Sequence, residues 1–322
     1  MLLATGATLA GFIAMMWSAD KFVNGAAATA RNLGVSLMLI GLTVVSIGTS
    51  APEILVALTA SLSGHGSLAV GNAIGSNIAN IGLVLGITTM LAPLSITSDL
   101  VYREITLLML VTVLAGLLLS DNHLGYPDGI LLIIGLVFTL YLICHWRYRP
   151  DTQRQTNGAH QQIEAELPNI NQATATVMLV TGLVVMILSS RLLIWGTIRI
   201  ARALDISELI IGLTIVAIGT SLPELATSVI SALKKHHDIA LGNIVGSNIF
   251  NLLAVMAVPG IVTPTTIDPA AFQRDVPVMT AITALLLVLV LAGRKRRKIG
   301  RGAGMLLAAC YSGYIMLLYL QG

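Results

Sequence analysis

The chain has 322 residues, 56% of them hydrophobic and only 10% charged, with a formal net charge of +3. Soluble domains carry roughly 25% charged residues, so this composition, with a mean hydropathy of +0.88, excludes a soluble globular protein and points to one immersed in lipid. The two cysteines, Cys144 and Cys310, stand apart in apolar surroundings; they form no metal motif and predict no disulfide.

Spanning ~30 Å of hydrocarbon takes about 20 apolar residues as a helix. Taken in chain order, the predicted spans are 2–23, 35–62, 68–92, 104–120 and 128–146, then 173–196, 206–233, 239–262, 276–293 and 302–320. The fold class is therefore an all-α membrane protein of ten transmembrane helices. No cationic segment precedes the first span and no small-residue cleavage site follows it, so it is expected to stay in the membrane. The polar stretch 147–172, rich in Arg, Gln, Asn and Glu, reads as a linker between a first unit, 1–146, and a second, 173–322.

The second span contains GLTVVSIGTSAPE (41–53) and the seventh GLTIVAIGTSLPE (212–224). Pairing residues 41–86 with those 171 positions later gives 21 identities in 46 without a gap. Each unit holds five spans, an odd number, so the second must enter the membrane the other way up. The units are inverted repeats related by a pseudo-two-fold axis in the membrane plane, which brings equivalent motifs together near the midplane.

Loop cations set orientation. With ten spans, Arg31, Arg103, Arg147, Arg149, Arg154, Lys234, Lys235, Arg294, Lys295, Arg296, Arg297, Lys298 and Arg301 share one side, and Arg199, Arg202 and Arg274 the other. That asymmetry puts both termini outside the cytoplasm and the linker inside. RKRRK (294–298) between two membrane helices reads as a topology determinant, not a nucleic-acid patch.

A carboxylate at mid-bilayer costs about 2.5 to 3.5 kcal/mol even on insertion scales, yet Glu53 and Glu224 lie in these apolar runs with no Lys or Arg in either motif. The simplest counter-charge is a bound cation. Pro52 and Pro223 each remove a backbone donor and kink their helix, releasing carbonyls a turn earlier, around Ser46, Ile47 and Gly48 and around Ala217, Ile218 and Gly219. The hydroxyls of Thr49, Ser50, Thr220 and Ser221 add oxygens. Such hard ligands suit Ca²⁺ or Na⁺, and the lack of nearby Cys or His argues against zinc or copper.

A second pair, GNAIGSNIAN (71–80) and GNIVGSNIFN (242–251), supplies Ser76, Asn80, Ser247 and Asn251 as further candidate ligands, with Ser76 and Asn80 on one helix stripe. Asn72, Asn77, Asn243 and Asn248 read as cross-helix hydrogen-bonding groups or as ligands. Gly71, Gly75, Gly242 and Gly246 form small-xxx-small patterns suited to close helix packing.

GTSxPE followed by GNxxGSNxxN, present twice, resembles the paired alpha repeats of the cation/calcium exchanger superfamily, most closely its sodium/calcium exchanger branch and related bacterial inner-membrane calcium/sodium antiporters. The resemblance implies four ion sites in a diamond around the glutamates and a first and sixth helix that slide over a rigid core. Carried over, Glu53 and Glu224 are shared Ca²⁺ and Na⁺ ligands, Thr49 and Thr220 supply carbonyls for Ca²⁺, and Ser50, Ser76, Ser221 and Ser247 complete the Na⁺ sites. Members of the family often carry Asp in one repeat where this chain has Asn80 and Asn251. Only two carboxylates then meet at the centre, which leaves the exchange ratio open. The acidic residue that follows the GN motif in proton-coupled members is here Gly75 or Gly246.

Outside the motifs, Asp20 and Arg191 are 171 residues apart and suggest an ion pair between the first and sixth helices, with pairing to Lys21 or snorkelling as the alternative. His65 and His236 read as turn residues, with a pH-sensing role as the alternative. Trp17, Trp146 and Trp195 read as anchors. Asp99, Glu104, Asp121, Asp128, Asp268 and Asp275 read as solvated loop charges.

The reading is a multi-pass inner-membrane secondary antiporter exchanging Ca²⁺ for Na⁺ by alternating access, with no enzymatic step and no cofactor. Its partners are Ca²⁺ and Na⁺ (or H⁺) and the lipid bilayer, with no nucleic acid and no obligate protein partner. The alternatives are a cation/proton antiporter and an uncoupled cation channel.

Overall fold

Apolar helix follows apolar helix along the whole chain, because inside hydrocarbon a backbone must satisfy its own polar groups. The structure, a computed structural model, describes residues 1–96, 99–148, 168–204, 217–267, 269–295 and 297–321. We number the helices α1 (Leu2–Leu33), α2 (Leu37–Thr49), α3 (Ala51–Leu62), α4 (Gly66–Leu91), α5 (Leu100–Leu118), α6 (Tyr126–Tyr148), α7 (Gln172–Ala203), α8 (Ala217–Thr220), α9 (Leu222–Leu233), α10 (His237–Val262), α11 (Pro269–Ala292) and α12 (Arg301–Gln321).

Eight of these are long and apolar enough to cross a membrane, and α2 with α3 makes a ninth, broken span bent by 42°. Residues 206–216 of the span expected at 206–233 lie outside the described residues, and its described part forms the short helices α8 and α9. Among the described residues, three spans contain π-helical turns, at Gly41–Val45, Asn80–Leu85 and Asn251–Val255. The last two are equivalent by repeat, and such turns recur at functional sites.

Two helix layers can be told apart by their packing. The main core is built on α4 and α10, with α5, α6, α11 and α12 around them; Ile78, Ile81, Leu85, Leu252 and Leu253 are almost fully buried there. Against it lies a second, smaller cluster in which α1 presents Ala19, Ala26, Ala27 and Ala30.

Helices α1 and α7 pack on each other over most of their length. A Cβ on Gly11 would stand 2.8 Å from the backbone nitrogen of Leu193, and one on Gly182 2.7 Å from that of Phe22. Only glycine permits this approach. Gly25 and Gly196 repeat the arrangement, against Leu179 and Thr8.

Two short antiparallel pairs tie the repeats together. Leu94–Ser95 (β1) pairs with Lys298–Ile299 (β4), and His123–Leu124 (β2) with Thr265–Thr266 (β3). Each joins the segment after α4 or α10 to the connection between two helices of the other repeat, α11 and α12 or α5 and α6.

Asp20 pairs with Lys234, not with Arg191, which is exposed and has no ion pair among the described residues. Glu104 is fully buried rather than solvated, because α5 begins at Leu100 and carries it inward. Asp275 lies within α11, held by Arg274 and by the Tyr314 hydroxyl at 3.1 Å. Asp268 lies outside the described residues. His65 and His236 do mark turns, donating from their backbone N–H to Ala60 and Ser231 carbonyls at 2.8 Å each.

Candidate ion-binding site at the helix breaks

Both GTSxPE motifs interrupt their helices at the same place. The serine of each motif leaves helical geometry, with φ −83° and ψ 1° at Ser50 and φ −89° and ψ 5° at Ser221. A new helix then starts with Pro52 or Pro223 in its first turn, a position where proline's missing N–H costs nothing. Glu53 and Glu224 therefore sit in the first turn of α3 and α9, where unpaired backbone N–H groups and the helix dipole favour negative charge.

Burial is nearly complete. Thr49, Ser50, Glu53, Asn80, Glu224, Ser247 and Asn251 are 0% exposed, and Ser221 and Ser76 are 1% and 4% exposed. Thr220 is half-buried. Asn80 and Asn251 each open a π-helical turn in the middle of α4 and α10.

The two repeats interlock at this level. The Ser50 hydroxyl donates to Glu224 Oε1 at 3.4 Å. Thr49 donates to Asn243 Oδ1 at 3.0 Å, and its hydroxyl lies 3.3 Å from that of Ser247. Asn243 in turn donates through Nδ2 to Ser228 Oγ at 2.9 Å and to the Glu224 carbonyl at 3.3 Å.

Many oxygens here lack a hydrogen-bond donor. Among the described residues, both carboxylate oxygens of Glu53, Oε2 of Glu224, the amides of Asn80 and Asn251 and the hydroxyl of Ser221 are buried without a partner. Buried acceptors without donors are costly, and a cation is the species that satisfies several at once. No cluster of three or more His, Cys, Asp or Glu occurs among the described residues. The oxygens are thus two carboxylates plus neutral hydroxyl, amide and carbonyl groups, the hard donor set of Ca²⁺ and Na⁺.

The four remaining asparagines divide, and Asn72 keeps a buried Nδ2 with no partner among the described residues. Asn243 bonds across helices and organises the site, a role the motif alone left open. Asn77 and Asn248 each donate to the carbonyl four residues back in their own helix, at 2.8 and 2.7 Å, leaving Oδ1 unpartnered. Gly242 and Gly246 pack against Met38, Gly41, Leu42 and Ser46, as their spacing predicts. Gly71 and Gly75 meet nothing within 4 Å, and most of the stretch equivalent to residues 38–46 lies outside the described residues.

A profile of the sodium/calcium exchanger protein family matches residues 3–145 and 174–320. The chain belongs to this family. It is 48% identical over 99% of both chains to CaxA of Alkalimonas amylolytica, named as a candidate antiporter. It is 40% identical to inner membrane protein YrbG of Escherichia coli, covering 99% of this chain and 98% of that one. Among solved structures, the sodium-calcium exchanger NCX_Mj soaked with Na⁺ and Sr²⁺ superposes with a TM-score of 0.81 at 32% identity, covering 98% of each chain. This chain is thus a multi-pass membrane protein of a family of ion exchangers.

Proposed function

We propose that the chain is a secondary antiporter that exchanges Ca²⁺ for Na⁺ by alternating access. Ten helices form two inverted repeats, 1–146 and 173–322, with the 147–172 linker in the cytoplasm and both termini outside. The ligands are Glu53, Glu224, Thr49, Thr220, Ser50, Ser221, Ser76, Ser247, Asn80 and Asn251. The observation that carries this reading is the Ser50–Glu224 contact, through which the helix break of one repeat serves the carboxylate of the other.

Such a site binds one Ca²⁺ against two negative charges, or Na⁺ ions at the same oxygens, so the two cargoes compete. Competition for one buried site, with access alternating between sides, is sufficient for coupled exchange. A continuous water-filled pore would not need the competition. The likeness to NCX_Mj supports Na⁺ as the coupling ion over H⁺.

The test is radiolabelled Ca²⁺ uptake into proteoliposomes loaded with Na⁺ and diluted into Na⁺-free buffer, with a proton gradient as the parallel condition. Uptake driven by the Na⁺ gradient is expected. Uptake driven only by the proton gradient would favour a cation/proton antiporter, and uptake needing no counter-ion a channel.

A further inference from the structure

We infer that Asp20, Asn24 and Lys234 form a one-sided latch that holds the α1–α7 pair in one of its two orientations against the core. The inference rests on the alternating-access reading above. It concerns what sets the balance between the orientations, not the ion site.

Three distances define the latch. Lys234 Nζ lies 2.6 Å from Asp20 Oδ1 and donates to Asn24 Oδ1 at 2.8 Å. Asn24 Nδ2 donates to Asp20 Oδ2 at 3.1 Å. Asp20 and Asn24 are one helical turn apart on α1, while Lys234 caps the C-terminus of α9. The lysine thus bridges two acceptors on α1 and closes a three-membered ring of hydrogen bonds between a peripheral helix and a core helix.

The rest of that interface is apolar. Facing the core, α1 offers Met15, Phe22 and the small residues Ala19, Ala26, Ala27 and Ala30, packed with Ala226, Leu222, Ile230 and Ile239. Toward its cytoplasmic end the face is alanine, which leaves shallow grooves, so shifting α1 there breaks few directional contacts. The α1–α7 contact is the opposite: backbone meets backbone at Gly11, Gly25, Gly182 and Gly196, which makes the two helices one body. A polar ring across the alanine-lined end of the face is then a directional contact that opposes movement of that body.

Repeat symmetry shows the bias. The positions equivalent to Asp20, Asn24 and Lys234 are Arg191, Trp195 and Ser63. No acid faces a base in that set, so the ring exists only at the end of the bundle that carries Arg31, Lys234 and Lys235, the cytoplasmic end in the proposed topology. With symmetric halves the two orientations would be nearly equal in energy. A latch at one end makes them unequal, and the orientation seen here is the one it favours.

Pulsed electron–electron distance measurement tests this without any cargo. Spin labels at Leu33→Cys, on exposed α1, and Lys295→Cys, on the core turn joined through β4, report the position of α1 on a Cys144→Ser, Cys310→Ser background. Lys234→Gln and Asp20→Asn should each enlarge a second distance population by about two- to fivefold, the scale expected for a partly exposed pair. The swap Asp20→Lys with Lys234→Asp should return it toward the starting ratio. An unchanged distribution in both single variants, or a swap that shifts it as far as the singles do, overturns the latch. If the distribution shifts as expected but the protein fails to exchange Ca²⁺ for Na⁺, the latch stands and the exchange reading falls.

Discussion

The Thr49 hydroxyl donates to Oδ1 of Asn243 at 3.0 Å, joining the broken helix of one repeat to the unbroken helix of the other. Asn243 accepts this bond and uses Nδ2 to donate to Ser228 and to the Glu224 carbonyl. It positions Thr49 and Glu224 relative to each other without needing to touch an ion. Asn243→Ala is expected to weaken apparent Ca²⁺ affinity about 10- to 100-fold, since each buried group left unpaired costs roughly 1–3 kcal/mol. Asn243→Asp keeps the acceptor for Thr49 but loses both donors, and should recover only part of the loss. The Ca²⁺ dependence of uptake reads both effects.

The glycine contacts between α1 and α7 make a stability prediction. A methyl group at Gly182 would stand 2.7 Å from the Phe22 backbone, whereas Gly313 has nothing within 4 Å. Gly182→Ala should overpack the pair by about 1–3 kcal/mol and lower the melting temperature in detergent by about 3 to 10 °C, while Gly313→Ala should leave it unchanged or slightly raised. Equal melting temperatures for the two variants would mean that the helices part easily.

Asn251→Asp adds a third carboxylate beside Glu53 and Glu224. Stronger attraction for a divalent ion should tighten apparent Ca²⁺ affinity at high pH by about tenfold or more. Ca²⁺ affinity measured for both proteins at the same alkaline pH checks this.

Much of this architecture was legible in the sequence because lipid imposes simple rules. An apolar stretch long enough to cross must be helical, and a carboxylate placed in one must be used. The 171-residue offset located both helix breaks, and Gly11 with Gly182 and Gly25 with Gly196 fall in the same register. Symmetry misled in one place, the expected Asp20–Arg191 pair. Antiparallel packing sets Gly11 on Leu193 and Gly25 on Leu179. Asp20 is thereby roughly level with Val184, about two turns, or ~10 Å, from Arg191. Equivalent positions meet only near the pseudo-axis. The π-helical turns and the part played by Asn243 were not legible, since both depend on side chains from helices distant in sequence.

The central claim is that the two repeats build one shared cation site, and Ca²⁺ binding to purified protein tests it most directly. Titration calorimetry of the parent should show saturable Ca²⁺ binding that Na⁺ displaces. Glu53→Gln and Glu224→Gln should each abolish it, though each alters only one repeat. Retention of parent-like Ca²⁺ affinity by either variant, or binding indifferent to Na⁺, would contradict a shared site.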